Sequence, residues 1–330
     1  MEKGFQAFVV DKKDDQFQAE IKKLTVNDLP DGEVTIKVQY SSVNYKDGLA
    51  SIPTGKIVRS YPFIPGIDLA GVVIHSTDDR YKEGDEVIAT SYEIGVSHFG
   101  GFSEYARIPG DWIVPKPQGL TLKEAMIYGT AGFTAALSVD RLESIGLTPT
   151  DGKVLVTGAT GGVGSIAVAI LAKRGYHVVA STGKQQEHDF LKQIGAKEIL
   201  SREEIVGEKI KPLDQQIWAA AVDPVGGKTL SAVLSKLQYG GSVAVSGLTG
   251  GTDLPTTVFP FILRGVNLLG IDSVYCPMET RLKVWNRMAT DMNPGANLEL
   301  IKHEVPFTEL KKSLSEILHG QARGRNVVVF

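Results

Sequence analysis

The 330-residue sequence predicts an α/β fold: a doubly wound parallel sheet joined to a smaller, irregular β-barrel-type domain. Three observations predict it. Up to about residue 120 the chain holds short alternating apolar runs broken by proline and turn residues. Beyond Thr121, strand-like and helix-like segments alternate. At the head of that alternation a buried strand runs into a glycine-rich turn and an apolar helix. The length is about twice that of a common domain, so two domains are expected.

In the β-rich part, Glu33–Tyr40 alternates polar and apolar residues, the pattern of a half-buried strand. Gly71–His75 and Asp85–Ala89 are short β-branched runs between turn residues. Six of the fifteen prolines fall between Pro53 and Pro117, which favours loops and short strands there. Thr121-Leu122-Lys123-Glu124 fits a capping box, and a helix is expected to run towards Leu142. Lys153–Thr157 is the next strand, and Val163–Arg174 its helix. His177–Thr182, Lys197–Leu200, Trp218–Asp223, Ser242–Ser246 and Val266–Ile271 read as further strands, with helices over Glu187–Ile194 and Lys228–Leu237. Strands separated by helices imply βαβ units and a parallel sheet. Near the end, Leu298–Val305 reads as a strand, Thr308–Leu318 as an amphipathic helix and Asn326–Phe330 as a strand returning to the first domain. The expected divisions are 1–122, 123–298 and a returning segment 299–330.

Charged residues are 22% and hydrophobic residues 42%, the composition of an ordinary soluble enzyme. Thirty-five basic against 38 acidic residues leave −3, so no electrostatic drive towards nucleic acid or an anionic membrane exists. No apolar run reaches the roughly 18 residues a membrane span needs. Met1-Glu2-Lys3-Gly4 has no apolar signal region, and a cytoplasmic location is expected. The single cysteine, Cys276, excludes an intrachain disulfide and a multi-cysteine zinc site.

Glycine is abundant, at 36 residues, and one cluster has a clear use. Gly158-Ala159-Thr160-Gly161-Gly162-Val163-Gly164 ends a strand and opens a helix. There a dinucleotide's pyrophosphate can lie on helix N-terminal N–H groups, and a Cβ would block the turn or the phosphate. The spacing is that of G-x-G-x-x-G with Ala159 in the first place. The alternative is an ordinary tight turn, but strand, helix and further βαβ units stand where a dinucleotide fold needs them. At the end of the next strand, where an NAD site places an acidic residue, the sequence has Ser181-Thr182-Gly183-Lys184. Hydroxyls and an ammonium suit a 2′-phosphate, so NADPH is the expected cofactor; the alternative is an ordinary solvated polar loop.

With these residues in view, the chain resembles the medium-chain dehydrogenase/reductases. The matching pieces are Asn44-Tyr45-Lys46-Asp47, Pro65–Gly71, Gly84–Val87, Gly129–Ala135 and the glycine turn. Within that superfamily, Asn44–Asp47, Ser181–Lys184, Phe261–Arg264 and Gly270–Ser273 resemble the YhdH/YhfP branch of quinone oxidoreductases and acrylyl-CoA reductases. The resemblance implies a GroES-like catalytic domain, a Rossmann domain, NADPH and a homodimer. Zinc members of the superfamily use cysteine and a Gly-His-Glu motif. Here that motif reads Gly66-Ile67-Asp68, and Asn44-Tyr45 and Thr130 stand where cysteines are expected. Asp68, His75 and His98 show no ligand spacing, and no metal is expected.

Without zinc to polarise a carbonyl, an activated alkene or a quinone is the easier acceptor. Hydride added at the β carbon of an unsaturated thioester gives an enolate, which hydrogen-bond donors stabilise. Tyr45 is the first candidate for that donor or for the acid; the plain reading is a buried tyrosine. Asn44 is a candidate for substrate or ribose contact, Asp47 for turn organisation or proton transfer, and Thr130 for lining the nicotinamide end. The resemblance implies cofactor contacts from Tyr45, Thr130, Thr160, Gly161, Gly162, Val163, Gly164, Ser181, Thr182, Gly183, Lys184, Arg202, Leu248, Ile262 and Ser273. Ile262 and Ser273 otherwise read as plain core and strand residues, and Arg202 as a solvated helix start. Arg59, Arg264, Arg323 and Arg325 are candidates for the phosphates of a coenzyme A acceptor or for plain surface charge. The acceptor classes are an enoyl-CoA thioester and a quinone; a non-catalytic NADPH-binding sensor is the alternative of another kind.

Overall fold

The computed structural model describes residues 4–14 and 16–330; Met1–Lys3, part of the stretch read for a signal, and Asp15 lie outside the described residues. The chain divides into two units. One comprises Met1–Thr130, Val274–Asn286 and Lys302–Phe330; the other comprises Ala131–Ser273 and Arg287–Ile301.

The first unit is built on a seven-stranded sheet. Its order is Lys302–Pro306, Arg325–Val329, Val34–Ser42, Asp68–Ser76, Glu86–Thr90 and Ile113–Pro115, with Tyr105–Ile108 also on Val34–Ser42. The pairings are antiparallel except between Lys302–Pro306 and Arg325–Val329. Alternation along Val34–Ser42 buries Val34, Ile36 and Val38 against Leu69, Val73 and Val87. A hairpin of Phe5–Lys13 and Gln16–Leu24 precedes the sheet, its first strand mostly buried. The terminal strand Arg325–Val329 pairs antiparallel with Val34–Ser42, Val327 opposite Ser42.

Two segments differ from the sequence reading. Leu298–Val305 is not one strand: a helix over Ala296–Ile301 precedes a strand over Lys302–Pro306. Leu298 and Ile301, three apart, bury on one helical face, whereas Leu298 and the exposed Leu300, two apart, mimic alternation in sequence. The sequence names no element over Met278–Ala289, yet a helix there buries Arg281, Val284, Trp285 and Met288. A buried arginine hides the apolar face from a pattern search.

The second unit holds six parallel strands in the order Glu198–Leu200, His177–Ser181, Lys153–Val156, Trp218–Asp223, Leu237–Val245 and Asn267–Gly270. Counted along the chain within this sheet, that is order 3-2-1-4-5-6, the Rossmann arrangement. Strand order reverses between Lys153–Val156 and Trp218–Asp223, and ligands of such sheets bind at the carboxyl ends of strands at that point. The helix Gly162–Lys173 buries every residue from Gly164 to Leu171. Among the described residues, no helix is long and apolar enough to cross a membrane.

Candidate active site

Two sites emerge, one in each unit. In the first, Asn44 is the N-cap of the short helix Tyr45–Ala50, and a capping box fixes its backbone. Asp47 Oδ2 accepts the Asn44 N–H at 2.8 Å, and Oδ1 accepts the Ile67 N–H at 2.9 Å. Asp47 therefore organises the turn and ties it to the strand that carries Asp68. Asp68 lies at the centre. Its Oδ2 accepts from the Ser42 hydroxyl at 2.6 Å, Asn44 Nδ2 at 2.7 Å and the Thr130 N–H at 2.9 Å. Its Oδ1 accepts the Thr130 hydroxyl at 2.5 Å. The Arg325 guanidinium stands 3.6 Å away and donates to Ser42 Oγ at 2.7 Å, Asn44 Oδ1 at 3.1 Å and the Ile127 carbonyl at 3.0 Å.

Both carboxylates are fully buried, as is Arg325 at 2% exposure. Two acids share one cation. Burial pushes the Asp47 carboxyl up to about 7, the neighbouring charge of Asp68 adding to it and the two N–H donors opposing it.

Gly129 makes this centre possible. It sits at φ 50°, breaking the helix Leu122–Ser144 that the capping box at Thr121 starts. A Cβ there would lie 2.4 Å from Ser42 Oγ and 2.5 Å from Asp68 Oδ2. The break turns the Thr130 N–H and hydroxyl onto Asp68. Ser91, at φ 66°, places its hydroxyl 3.0 Å from that of Thr130. Because Thr130 donates to a carboxylate, Ser91 is the donor to Thr130. The sequence carries no signal for Ser91, since a serine seldom takes left-handed backbone. Tyr45 is 47% exposed, so it is not the buried tyrosine of the plain reading.

Zinc does not fit here. Ile67 occupies the place of a ligand histidine, and the Asp68 oxygens are taken by four neutral donors beside a guanidinium. His75 is exposed. His98 Nε2 contacts the Arg107 carbonyl at 2.7 Å, and burial pushes its pKa down. Among the described residues no group of three or more His, Cys, Asp or Glu could hold a metal ion.

In the second unit, Gly158 takes φ 53° and its carbonyl accepts the Gly161 N–H at 3.0 Å. A Cβ on Gly164 would lie 2.3 Å from the Gly158 oxygen. The first N–H groups of the helix Gly162–Lys173 have no intrahelical acceptors, and an anion suits them. Thr160 is buried beside the cradle, while Gly161, Gly162 and Val163 are partly exposed. Asp223, missed in the sequence, closes the switch point. Its carboxylate accepts the Thr157 hydroxyl and, at 2.8 Å, the Gly226 N–H. That strap joins the two strand ends that flank the reversal.

Ser181 and Thr182 are buried, and Thr182 Oγ1 accepts the Lys184 N–H at 3.1 Å. Arg202 lies over Gly183: a Cβ on Gly183 would meet Arg202 Nε at 3.3 Å. Arg202 is exposed at the start of a helix capped by Ser201, whose Oγ accepts the Glu204 N–H at 3.1 Å. Ser181, Thr182, Gly183 and Arg202 thus stand together, and these residues fit an adenosine 2′-phosphate. Ser273 is buried and accepts the Thr134 hydroxyl at 2.8 Å. Leu248 and Ile262 are 62% and 68% exposed, which corrects the plain core reading of Ile262.

The arginines separate cleanly. Arg325 is buried at the Asp68 centre, and Arg264 donates to the Ser235 and Asp214 carbonyls at 2.9 and 2.6 Å. Arg323 donates to His303 at 3.3 Å. Arg59 is exposed.

Comparison with known proteins agrees with this architecture. Residues 30–118 match the alcohol dehydrogenase GroES-like domain, and residues 162–290 match the zinc-binding dehydrogenase family. YhfP of Bacillus subtilis, named as a quinone oxidoreductase, is 60% identical over 98% of each chain. The crystal structure of that protein with NAD bound aligns at a TM-score of 0.97 with 59% identity, covering 99% of this chain and 100% of that one. AcuI of Ruegeria pomeroyi, named as an acrylyl-CoA reductase, is 52% identical over 98% of each chain. The yhdH oxidoreductase of Salmonella enterica in complex with NADP aligns at a TM-score of 0.96 with 47% identity, covering 98% of this chain and 99% of that one.

Proposed function

The chain belongs to the medium-chain dehydrogenase/reductase family, as an oxidoreductase of the quinone oxidoreductase and acrylyl-CoA reductase type, and from that premise we propose that it uses NADPH, without a metal, to reduce an enoyl-CoA thioester. The carrying observation is the pair of cofactor features in the second unit: a glycine cradle at a helix N-terminus, and Arg202 over Gly183 with no acid at the end of His177–Ser181. The relatives differ, one being crystallised with NAD and one with NADP. Arg202 and the hydroxyls of Ser181 and Thr182 favour the phosphorylated form.

When bound, NADPH supplies a hydride. The residues of this chain do the rest. Hydride reaches the β carbon of the C=C, its π pair moves onto the thioester oxygen, and a proton completes the α carbon. Tyr45, exposed at the head of its helix, donates its phenol to that oxygen or supplies that proton. Asn44 and Thr130 are held by Asp68 and so present fixed groups. A quinone accepts the same hydride, and YhfP is the relative whose name favours it.

The protein is proposed to act as a homodimer. Asn267–Gly270 ends its sheet, and among the described residues no further strand pairs with it. Val258, Phe259, Ile262 and Leu263 are exposed just before it, an apolar surface and an open edge of the kind subunits cover. Ile262, a candidate cofactor contact, lies in that surface.

The test follows NADPH absorbance with acrylyl-CoA, crotonyl-CoA and 1,4-benzoquinone, and with NADH in place of NADPH. Saturable thioester turnover is expected, with kcat in Tyr45→Phe lowered by roughly tenfold or more. Quinone-only turnover moves the substrate to the second class, and cofactor binding without turnover of any acceptor marks a sensor. A preference for NADH overturns the cofactor assignment.

A further inference from the structure

Ser91 occupies a position whose backbone favours glycine. It sits at φ 66°, and Tyr92 follows at φ 49°. Among the described residues, glycine fills most positions of this left-handed kind. Two other side chains that take it, Asp14 and Lys56, are exposed, whereas Ser91 is buried. A buried serine in left-handed backbone is strained, so its hydroxyl needs a use that glycine cannot supply.

The turn is held on every side. Glu86–Thr90 pairs with Asp68–Ser76, Thr90 opposite Asp68, so Ser91 follows directly on the partner of the central acid. The Ser91 N–H donates to the Ile67 carbonyl at 2.9 Å. Arg281, fully buried, donates to Thr90 Oγ1 at 3.1 Å and to the Thr90 carbonyl at 3.3 Å. Its guanidinium lies over the Tyr92 ring, 4.5 Å from the centroid, and that ring also stacks on Trp112. The Tyr92 N–H and Arg281 Nη2 both donate to the Val274 carbonyl, at 3.3 and 3.1 Å. All these contacts lie within the first unit. Their result is the placement of one hydroxyl, which donates to Thr130 Oγ1 at 3.0 Å. Thr130 in turn gives its own proton to Asp68 Oδ1 at 2.5 Å. An oxygen tied at one point can swing about that bond; tied at two, to separate strands, it is placed.

We propose that Ser91 is a positioning residue for the reduction, acting through Thr130: its hydroxyl, aimed by the turn that Arg281 clamps, completes the placement of the Thr130 hydroxyl. The proposal rests on the reading above, in which Thr130 presents a fixed group to the reaction. Both hydroxyl protons of the chain run towards Asp68, which leaves donation to the thioester oxygen to Tyr45.

The test is a double-mutant cycle on the full-length protein, read by the single-turnover rate of NADPH oxidation. Acrylyl-CoA is the acceptor; 1,4-benzoquinone replaces it if the parent reduces only the quinone. Ser91→Gly keeps the turn and removes the donor. Its rate is expected to fall about tenfold, with the NADPH Kd and the acceptor KM within about twofold of the parent. Its thermal unfolding midpoint should stay within about 3 °C, because relief of strain offsets the lost hydrogen bond. Ser91→Ala loses the same hydroxyl and keeps the strain, so it should be equally slow and less stable. Thr130→Val should be slow as well, and Ser91→Gly/Thr130→Val no slower than Thr130→Val within about twofold. An unchanged rate in Ser91→Gly overturns the proposal. So does a rate that follows stability, slow in the alanine variant and normal in the glycine variant, which assigns Ser91 to the turn alone. Additive losses in the double variant overturn it too, since Ser91 would then act apart from Thr130. The reading of Thr130 fails on a different observation, an unchanged rate in Thr130→Val, and takes the proposal with it.

Discussion

The centre around Asp68 and the cradle at Gly158–Gly164 are built from opposite materials. The first brings side chains from five separated stretches of chain onto two buried carboxylates: Ser42 to Asp47, Asp68, Ser91, Thr130 and Arg325. The second uses backbone. Its N–H groups and the absence of Cβ atoms make the site, and its one guanidinium, Arg202, lies exposed at the edge. A change in the first is expected to appear as lost stability, because a buried charge must stay paired. A change in the second is expected to appear as lost cofactor affinity in a protein that still folds.

Arg325→Met breaks the first region hardest. It leaves Asp68 and Asp47 buried with no cation, and removes the donor to Ser42 Oγ, Asn44 Oδ1 and the Ile127 carbonyl. The expected loss is about 3–5 kcal/mol, read by urea unfolding. A loss below about 1 kcal/mol would mean that the neutral donors suffice, and the comparison would fail on that side. Gly164→Ala is the matching change in the second region. Its Cβ would stand 2.3 Å from the Gly158 oxygen, so the turn must shift, at about 1–3 kcal/mol of overpacking. An NADPH Kd at least tenfold weaker is expected, with acceptor KM unchanged at saturating cofactor. An unchanged Kd would show that the turn relaxes and that the cradle tolerates a side chain.

This contrast also explains what could be read from sequence. The glycine turn is local: strand, turn and helix follow one another over Lys153–Lys173, so spacing alone exposes them. The parallel sheet follows from alternation of strand and helix; its strand order came only with the fold. The polar centre is not local. Asn44 and Arg325 meet across 281 residues, and Asp68 sits in a motif whose family version suggests a metal. Sequence could name Asn44, Asp47 and Thr130 only through resemblance. It could not see that Asp68 holds Asn44 and Thr130, or that Arg325 is buried and not on the surface. Asp223 was hidden for a related reason: a strand-terminal acid reads as a turn residue until its Thr157 partner is in place.

The pH dependence of stability sharpens the comparison, since only the first region has two buried acids facing each other. The Asp47 carboxyl titrates at about 7 when folded, through burial and the Asp68 charge, against an ordinary value of 3.8. The folded state therefore holds a proton that the unfolded state releases. The resulting stability is fully present below the unfolded value and is lost as pH rises through the folded one. Between those limits the slope is at most about 1.4 kcal/mol per pH unit. Urea midpoints taken across this window should fall with rising pH, and Asp47→Asn should flatten the fall. Equal slopes in the two proteins would assign the titration to another group.

Arg202→Ala is the smallest change and the most specific. Arg202 is solvent-exposed, so its removal leaves no buried group unpaired and the fold should be unaffected. It lies against Gly183, next to the buried hydroxyls of Ser181 and Thr182, where a 2′-phosphate would meet all three. A charge-assisted contact at such an exposed site is worth about five- to tenfold in NADPH KM, and less as salt is raised. NADH lacks the phosphate, and its KM should not move. If both cofactors weaken together, Arg202 supports the turn and does not read the phosphate. The second region would then depend on side-chain packing as the first one does.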